Sequence, residues 1–359
     1  MEYKRLGDYI REVNVRNKDL KVANPMGINI EKYFMPSVAN VIGTDLSAYK
    51  MVGDMQFACN LMHVGRDEKI PMAMHKGEQP LIVSPAYFVF ENSKPNELLS
   101  DYLMMWFRRP EFDRNAWFYT DADVRGGMAK DALLDMTLPV PSIERQREIV
   151  EEYETLSRRI RLNEQMIDKL EATAQALYRK MFVDGIDKEN LPEGWRMGTL
   201  EDVVIIRYGK AHEGIADGDI PIYGSGGIMR YGNKALFDMP SVLIPRKGSL
   251  NNIMYVDIPF WTVDTMFYTQ MRIKNVSKYL YIYLCQFDFL SMDAGSAVPS
   301  MTSQMLNQME ILIPDEKTLG LFEEQESIIF RNINLHKQEI SKLSELQSLL
   351  LVKMGSLKQ

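Results

Sequence analysis

The chain carries the stretch MAKDALLDMTLPVPSIERQREIVEEYETLSRRIRLNEQMIDKLEATAQALYRKM at residues 128–181, and a second version of it, MTSQMLNQMEILIPDEKTLGLFEEQESIIFRNINLHKQEISKLSELQSLLLVKM, at residues 301–354. The two stretches align without a gap when one is moved along the chain by 173 residues. Chance does not produce an ungapped match of this length, so the chain contains a genuine internal repeat. Identical positions include Met128/Met301, Pro141/Pro314 and Lys180/Lys353.

Each copy begins with a short apolar run that ends in proline, LPVP at 138–141 and ILIP at 311–314. The segment that follows contains no proline and is rich in Glu, Gln, Leu, Ile, Lys and Arg. Because proline ends a strand and the following composition favours helix, each copy is predicted to form a strand and then a long helix. At 1.5 Å per residue, a helix of about forty residues is ~60 Å long.

Apolar residues recur at heptad spacing along both predicted helices, which indicates a coiled-coil seam. The first helix must leave one globular region and reach the next, so we expect an antiparallel pair with a domain at each end. In the alternative, each helix packs on its own domain, although such a docking face is usually wider than this stripe. The predicted seam residues are Leu156, Ile160, Asn163, Ile167, Leu170, Leu177, Ile329, Ile333, His336, Ile340, Leu343 and Leu350.

Two polar residues interrupt this seam at the equivalent position of each copy, Asn163 and His336. Equivalent positions of an antiparallel pair meet only near its midpoint, where both residues lie. We therefore expect the two side chains to approach each other and to fix the register at some cost in stability. In the alternative, both side chains point sideways into water.

Length and composition indicate a globular protein with room for two ordinary domains besides the helices, because 46% of its 359 residues are hydrophobic and 10% aromatic. No signal peptide or membrane-spanning run is recognised, so a cytoplasmic location is expected. Cys59 and Cys285 lie in apolar surroundings and are expected to be reduced core thiols.

Four segments are predicted from these patterns. Residues 1–141 and 184–314 form globular domains, and residues 142–183 and 315–359 form the helices. Residues 3–17 are expected to be a short strand or turn leading into a helix. Residues 33–90 are expected to form a compact, mostly antiparallel β region, since β-branched and aromatic runs alternate there with turn signals.

Several motifs occur along the chain: YKRLGDYIREVNVRN at 3–17, LPVPSIERQREIV at 138–150, LPEGW at 191–195, IPIYGSGG at 220–227, VLIPRKGS at 242–249 and PFWTVDTMF at 259–267. They resemble motifs of the specificity subunits of type I restriction–modification systems. The resemblance covers essentially the whole chain, and the duplicated layout is itself typical of that family.

The resemblance implies an α+β fold in which two α/β target recognition domains are separated by two long conserved helices, with a pseudo-two-fold internal repeat. The helices are expected to form an antiparallel coiled coil. The implied function is non-catalytic recognition of DNA within an adenine methyltransferase complex. Each domain would read one half of a bipartite site in double-stranded DNA, while the helix pair would set the spacer and dock two methyltransferase subunits.

Partner subunits would carry the chemistry that the resemblance implies. Restriction subunits could join the complex. The partners would bind S-adenosylmethionine, together with ATP and Mg²⁺ where a nuclease subunit exists, and this chain would bind no cofactor.

Candidate DNA contacts lie in glycine-bearing loops, where the backbone can approach a groove and polar tips can reach base edges. Arg246 and Lys247 are the favoured pair, whereas Tyr223 could equally be a core residue. The second-domain candidates are Lys210, His212, Tyr223, Ser225, Arg230, Tyr231, Arg246, Lys247, Ser249 and Asn251. The first-domain candidates are Thr44, Lys50, Asn60, Arg66, Lys69 and Lys76.

The net charge of −7 argues against a DNA-binding protein, because such proteins usually carry a basic surplus. Residues 1–141 hold 17 basic and 19 acidic groups, and residues 185–313 hold 11 and 14. Partner subunits that supply most phosphate contacts would answer this objection, since phosphate contacts position a protein while base contacts specify the sequence. The alternative is a duplicated protein-binding scaffold that does not touch DNA.

The chain lacks the sequence motifs of the enzymes that act with DNA in such systems. The chain has no GxxxxGK[ST] loop and no Pro-Pro pair of the kind that adenine methyltransferases carry. Its four histidines are widely scattered, which does not favour a metal site or a catalytic triad. We therefore expect no catalytic residue and no metal.

Overall fold

The computed structural model describes residues 3–37, 43–62, 64–120, 126–291 and 300–356. The chain divides into two compact units, and each long helix contributes residues to both. The first unit comprises Met1–Leu162 and Glu339–Gln359, and the second comprises Asn163–Gln338. None of the helices in the described part of the chain combines the length and apolarity needed to cross a membrane.

Among its described residues, the first unit contains short strands, four short α-helices and part of each long helix. In chain order the elements are β1 (Tyr3–Arg5), β2 (Ile10–Glu12), β3 (Pro25–Ile28), β4 (Phe34–Pro36), β5 (Lys50–Val52), β6 (Phe57–Cys59), α1 (Val64–Asp67), β7 (Met72–Met74), β8 (Leu81–Val83), β9 (Phe88–Asn92), α2 (Ser100–Phe107), α3 (Pro110–Phe118), α4 (Lys130–Asp135), β10 (Thr137–Pro139) and α5 (Ile143–Phe182).

The second unit has the same kind of composition and contains the beginning of the second long helix. Its elements are β11 (Arg196–Thr199), α6 (Leu200–Val203), β12 (Val204–Tyr208), β13 (Ile220–Gly224), β14 (Gly227–Gly232), β15 (Ser241–Pro245), β16 (Met254–Val256), β17 (Trp261–Thr262), β18 (Met266–Met271), α7 (Ser277–Leu284), α8 (Ser303–Asn307), β19 (Glu310–Ile313) and α9 (Glu316–Ser356).

The two units share one strand plan. The order β2-β9-β6-β7 in the first unit corresponds to β12-β18-β15-β16 in the second, and β4-β3-β8-β5 corresponds to β14-β13-β17, with β5 added. The pairs β3–β8 and β13–β17 are both parallel, while β1–β10 and β11–β19 are both antiparallel. The duplication that the sequence shows at the helices therefore extends through the globular parts.

The long helices pair in antiparallel directions within each unit, as predicted. In the first unit Gln347 of α9 donates a hydrogen bond to the Ser157 hydroxyl of α5, at 2.7 Å. In the second unit the ring of Tyr178, near the end of α5, lies 6.3 Å from that of Phe322, near the beginning of α9. Every predicted seam residue is buried or half-buried, because these side chains face the partner helix or the adjoining core.

Helix α9 begins at Glu316, and the residue between it and Pro314, Asp315, binds the N-terminal end of the helix. The Asp315 carboxylate accepts hydrogen bonds from the backbone N–H and the hydroxyl of Thr318, and from Nε1 of Trp195. Asp315 thus acts as the N-terminal cap of α9. The same hydrogen bonds lower the pKa of Asp315 to about 2, and the bond from the Thr318 hydroxyl is the largest cause.

Two expectations about local structure are wrong. Residues 3–17 contain no helix longer than the 3-10 turn Leu6–Asp8, because residues 10–12 pair with β9 instead. Cys59 is fully buried as expected, but Cys285 is exposed at the end of α7. Strand pairing therefore decides the structure of residues 10–12, and the place of Cys285 at the end of α7 decides its exposure. Local composition predicts neither.

Candidate nucleic-acid interface

Three loops of the second unit meet around a recess of about 370 Å³. The loop after β12, the β13–β14 hairpin and the loop between β17 and β18 each supply part of its wall. We call this the loop recess. It is lined by Ala211, His212, Glu213, Gly224, Ser225, Gly226, Met229, Val263, Asp264 and Thr265.

A fourth loop, residues 246–252, is fastened to the same place. The side-chain amide of Asn252 donates to the carbonyl of Ser225 at 2.8 Å, and the backbone N–H of Arg246 donates to the carbonyl of Thr265 at 2.8 Å. The fold therefore gathers four glycine-bearing or polar loops that are distant in sequence.

Glycine is required where these loops touch. A Cβ at Gly209 would lie 2.0 Å from the carbonyl oxygen of Val263, so no other residue fits without moving the backbone. Gly248 has a φ of +83°, and a Cβ there would lie 2.6 Å from Oγ of Ser225. These two glycines serve close packing between loops rather than an open contact surface.

Arg230, a predicted DNA contact, uses its guanidinium inside the unit. Its Nη2 donates to the carbonyls of His212 at 2.9 Å and of Ile215 at 3.0 Å. Its Nε lies 3.4 Å from Nδ1 of His212, and its Nη1 lies 3.6 Å from a carboxylate oxygen of Asp217. The side chain thus fastens the loop after β12 to strand β14.

Arg246 is held differently. Its Nη1 donates to the carbonyl of Asp264 at 2.9 Å, and its guanidinium carbon lies 5.1 Å from the ring centre of Tyr208 and 5.6 Å from that of Phe267. The side chain is half-buried, so part of it remains in contact with solvent. The direction of the Arg246 guanidinium is therefore fixed, and the part of it that remains in solvent can contact a ligand.

The other predicted residues of the second unit fall into two groups. Lys210, Tyr231, Lys247 and Ser249 are exposed, and His212 and Ser225 line the loop recess. Asn251 is occupied by the fold, since its amide donates to Asp288 at 2.7 Å and its carbonyl accepts from the N–H of Phe289 at 2.8 Å. Tyr223 is half-buried, and desolvation raises its pKa.

The predicted residues of the first unit do not form one cluster of free cations. Lys50 is buried and its Nζ donates to the carbonyl of Tyr87 at 2.6 Å. Lys69 pairs with Glu31 at 2.8 Å, and Lys76 pairs with Asp101 at 2.5 Å. The side-chain oxygen of Asn60 accepts from the N–H of Met62, Thr44 is exposed, and Arg66 lies in α1.

Two residues that shape this interface were not foreseen from the sequence. Tyr208 is 52% exposed at the end of β12 and lies against Arg246, and Asp264 supplies the carbonyl that holds the same guanidinium. The sequence offered one indication of the role of Tyr208, since this aromatic residue directly precedes Gly209 and its loop. No local pattern points to a backbone carbonyl such as that of Asp264.

In the seam of the helix pair, the predicted approach of Asn163 and His336 is confirmed. The imidazole Nδ1 of His336 lies 2.7 Å from Oδ1 of Asn163, within the second unit. The side-chain nitrogen of Asn163 is buried without a hydrogen-bond partner among the described residues. No group of three or more His, Cys, Asp or Glu side chains within the described ranges could hold a metal ion.

Comparison with models of known protein families gives a match in the second half of the chain. Residues 192–345 match the family model of the type I restriction modification DNA specificity domain. Comparison with the sequences of curated proteins gives no match.

The fold as a whole is similar to that of a type-I restriction-modification system S subunit from M. genitalium. The TM-score is 0.60 at 13% identity, and the match covers 100% of this chain and 96% of that one. A chain from a structure of type I R-M complex assembly gives 0.49 at 15% identity, covering 98% and 97%. The HsdS subunit from Thermoanaerobacter tengcongensis gives 0.39 at 16% identity, covering 99% and 96%.

Proposed function

We propose that this chain, which carries the DNA specificity domain of type I restriction–modification systems, is the non-catalytic recognition subunit of an adenine methyltransferase complex. Each unit reads one half of a bipartite site in double-stranded DNA. The helix pair sets the number of unread base pairs between the halves. Two methyltransferase subunits dock on this subunit, and restriction subunits join where the system includes them.

The observation that carries this proposal is the duplication of the whole strand plan, not of the helices alone. Both units repeat the orders β2-β9-β6-β7 and β12-β18-β15-β16 around a helix pair that joins them in one chain. A duplicated scaffold suits a ligand with two similar but separate parts. DNA with two half-sites about one turn (~34 Å) apart is such a ligand.

The acidic charge fits a subunit that reads bases while its partners contact most phosphates. Several basic side chains of the first unit are already paired with carboxylates, including Lys69 with Glu31 and Lys76 with Asp101. The isolated chain should bind duplex DNA weakly, because neither globular segment carries the surplus of cations that would displace counterions from DNA. The partners bind S-adenosylmethionine and, with a nuclease subunit, ATP and Mg²⁺.

Methylation of a duplex library tests the proposal. The chain is combined with the methyltransferase subunit of its own system, and methylated adenines are located by sequencing. A bipartite motif that appears only when the chain is present is the expected result. Methylation without a motif, or a motif independent of this chain, would overturn the proposal and favour a protein-binding scaffold.

A further inference from the structure

Arg246 stands at the end of strand β15 on a fixed backbone. Its N–H donates to the carbonyl of Thr265 at 2.8 Å, and its carbonyl accepts from the N–H of Met301 at 2.9 Å. The adjoining Lys247 forms an isolated antiparallel bridge with Ser300. The position from which the guanidinium projects is therefore set by the sheet and by both neighbouring segments.

The Arg246 guanidinium is held by a hydrogen bond at one nitrogen and by an aromatic ring against one face. Nη1 donates to the carbonyl of Asp264 at 2.9 Å, while the ring of Tyr208 lies 5.1 Å from the guanidinium carbon. The Tyr208 hydroxyl is in turn 3.1 Å from Oγ of Ser303. Nε and Nη2 make no hydrogen bond to any residue that the structure describes. Among the described residues, these two nitrogens therefore form an unoccupied pair of parallel N–H donors, which we call the fork.

A fixed fork of two parallel N–H donors has a specific partner in duplex DNA. The O6 and N7 atoms of guanine lie side by side in the major groove and accept two hydrogen bonds from one arginine, and no other base edge offers the same pair of acceptors. We propose that Arg246 reads a guanine in the half-site bound by the second unit, and that Tyr208 is a positioning residue that keeps the fork aimed at it. This inference rests on the proposed function of the chain.

Two comparisons within the unit favour a base over a phosphate as the partner. Arg230 lies in strand β14, and its donors go to the carbonyls of His212 and Ile215, so it offers no comparable fork. Lys247 is exposed directly beside Arg246 and suits a phosphate, which needs charge but no particular orientation. Holding an arginine on an aromatic face reduces the freedom that a bidentate contact would otherwise lose.

The test uses the full chain in complex with its methyltransferase subunit and a duplex library sequenced for methylated adenine. The wild-type complex should show a guanine, on either strand, in the half-site assigned to the second unit. Arg246→Ala should reduce discrimination for that guanine by about 5- to 150-fold while leaving the other half-site unchanged. Tyr208→Ala should reduce it at the same base pair, and Tyr208→Phe, which keeps the ring, should preserve it.

Arg207→Ala is the matched control. Arg207 precedes Tyr208 on β12, so its side chain points to the opposite face of the strand, and its Nε donates to the side chain of Gln270 at 2.9 Å. This variant should keep the wild-type motif. If Arg246→Ala fails to fold, the pair of Tyr208 variants still decides the question.

The outcomes separate this inference from the proposed function. A wild-type complex without any bipartite motif would overturn the proposed function itself. A normal wild-type motif that contains no guanine in that half-site would overturn the inference alone. Uniform weakening by Arg246→Ala across all sequences would also overturn it, because that result identifies a phosphate contact.

Discussion

His336 and Asn163 meet in the helix seam of the second unit at 2.7 Å, although 173 residues separate them in the chain. They occupy the same position of the two repeats. Asn163 is buried, so its amide depends on the imidazole for the hydrogen bond that water would otherwise supply.

Replacement of one member of this pair should cost more than replacement of both. His336→Leu leaves the Asn163 side chain buried without a partner and should lower the free energy of unfolding by about 1–3 kcal/mol. The double variant Asn163→Leu with His336→Leu should recover most of that loss, since it completes an apolar seam. Urea unfolding measures both, with Gln338→Leu at an exposed position as the control. Equal losses in the single and double variants would contradict this account.

Glu326 should make stability depend on pH. The side chain is fully buried on α9, and neither carboxylate oxygen has a hydrogen-bond partner among the described residues. Burial raises the pKa of Glu326 from 4.5 to about 7, Lys278 opposes this, and Glu323 adds to it. The folded state therefore keeps a proton that the unfolded chain loses, and this stabilisation is complete below pH 4.5 and lost as pH rises through 7.

Glu326→Gln should remove most of that dependence. Between pH 5 and pH 8 the wild type should lose up to about 3 kcal/mol through this group, and the variant should lose much less. The free energy of unfolding at the two pH values gives the answer. Glu324→Gln, an exposed position on the same helix, serves as the control. An identical pH profile for wild type and Glu326→Gln would show that the carboxylate is solvated.

Lys32 and Asp113 form a buried ion pair in the first unit, 2.6 Å apart. Desolvation lowers the pKa of Lys32 and raises that of Asp113, and each partner opposes the shift of the other. Lys32→Met should lower the free energy of unfolding by about 3–5 kcal/mol, because it leaves Asp113 buried and unpaired. Lys32→Met with Asp113→Leu should cost far less.

The ion pair between the exposed Arg114 and the half-buried Glu111 provides the comparison for that experiment. Arg114→Met should change stability by less than about 1 kcal/mol, since an ion pair with one member in solvent contributes little. Denaturant unfolding of all three variants separates burial from charge. A small effect of Lys32→Met alone would mean that water reaches Asp113.

The helix pair should act as a ruler for the spacer. Four residues added after Asp168 and again after Ser341, which are matched places in the two repeats, lengthen the pair by ~6 Å. A coiled coil absorbs four residues by local unwinding. Because DNA rises ~3.4 Å per base pair, the preferred gap should grow by about one or two base pairs while both half-site sequences stay the same.

Methylation of a library that contains every gap length measures this directly. Each added base pair also turns the second half-site by about a tenth of a turn, so some loss of affinity is expected. A folded, active complex with an unchanged gap preference would show that the helices join the parts but do not measure the DNA.

The features that follow from periodicity were predictable from the sequence. The heptad stripe predicted the helix pair, and the alternation of domains and helices along the chain predicted its antiparallel direction. The coincidence of two polar seam positions predicted the contact of Asn163 with His336. These predictions depend on the spacing of side chains along a regular helix and on the order of segments, which the chain displays directly.

Side-chain use in the loops was not predictable in this way. Arg230 and Arg246 both lie near glycines. The Arg230 guanidinium is used by its own unit, whereas Arg246 binds one backbone carbonyl and, among the described residues, leaves Nε and Nη2 without a partner. Lys50 resembled a surface cation and is buried against the carbonyl of Tyr87. The direction of a long side chain is set by partners that are distant in sequence. The residues around it in the chain therefore do not predict which partners it will have.

The two units differ in how they are threaded. The second is one continuous run, residues 163–338, whereas the first needs Leu351 and Met354 of α9 in its own core. On the ribosome the order of completion is therefore the reverse of the order of synthesis. The segment translated first must wait with part of its apolar surface uncovered until the last turns of α9 emerge, while the later segment can already close on itself.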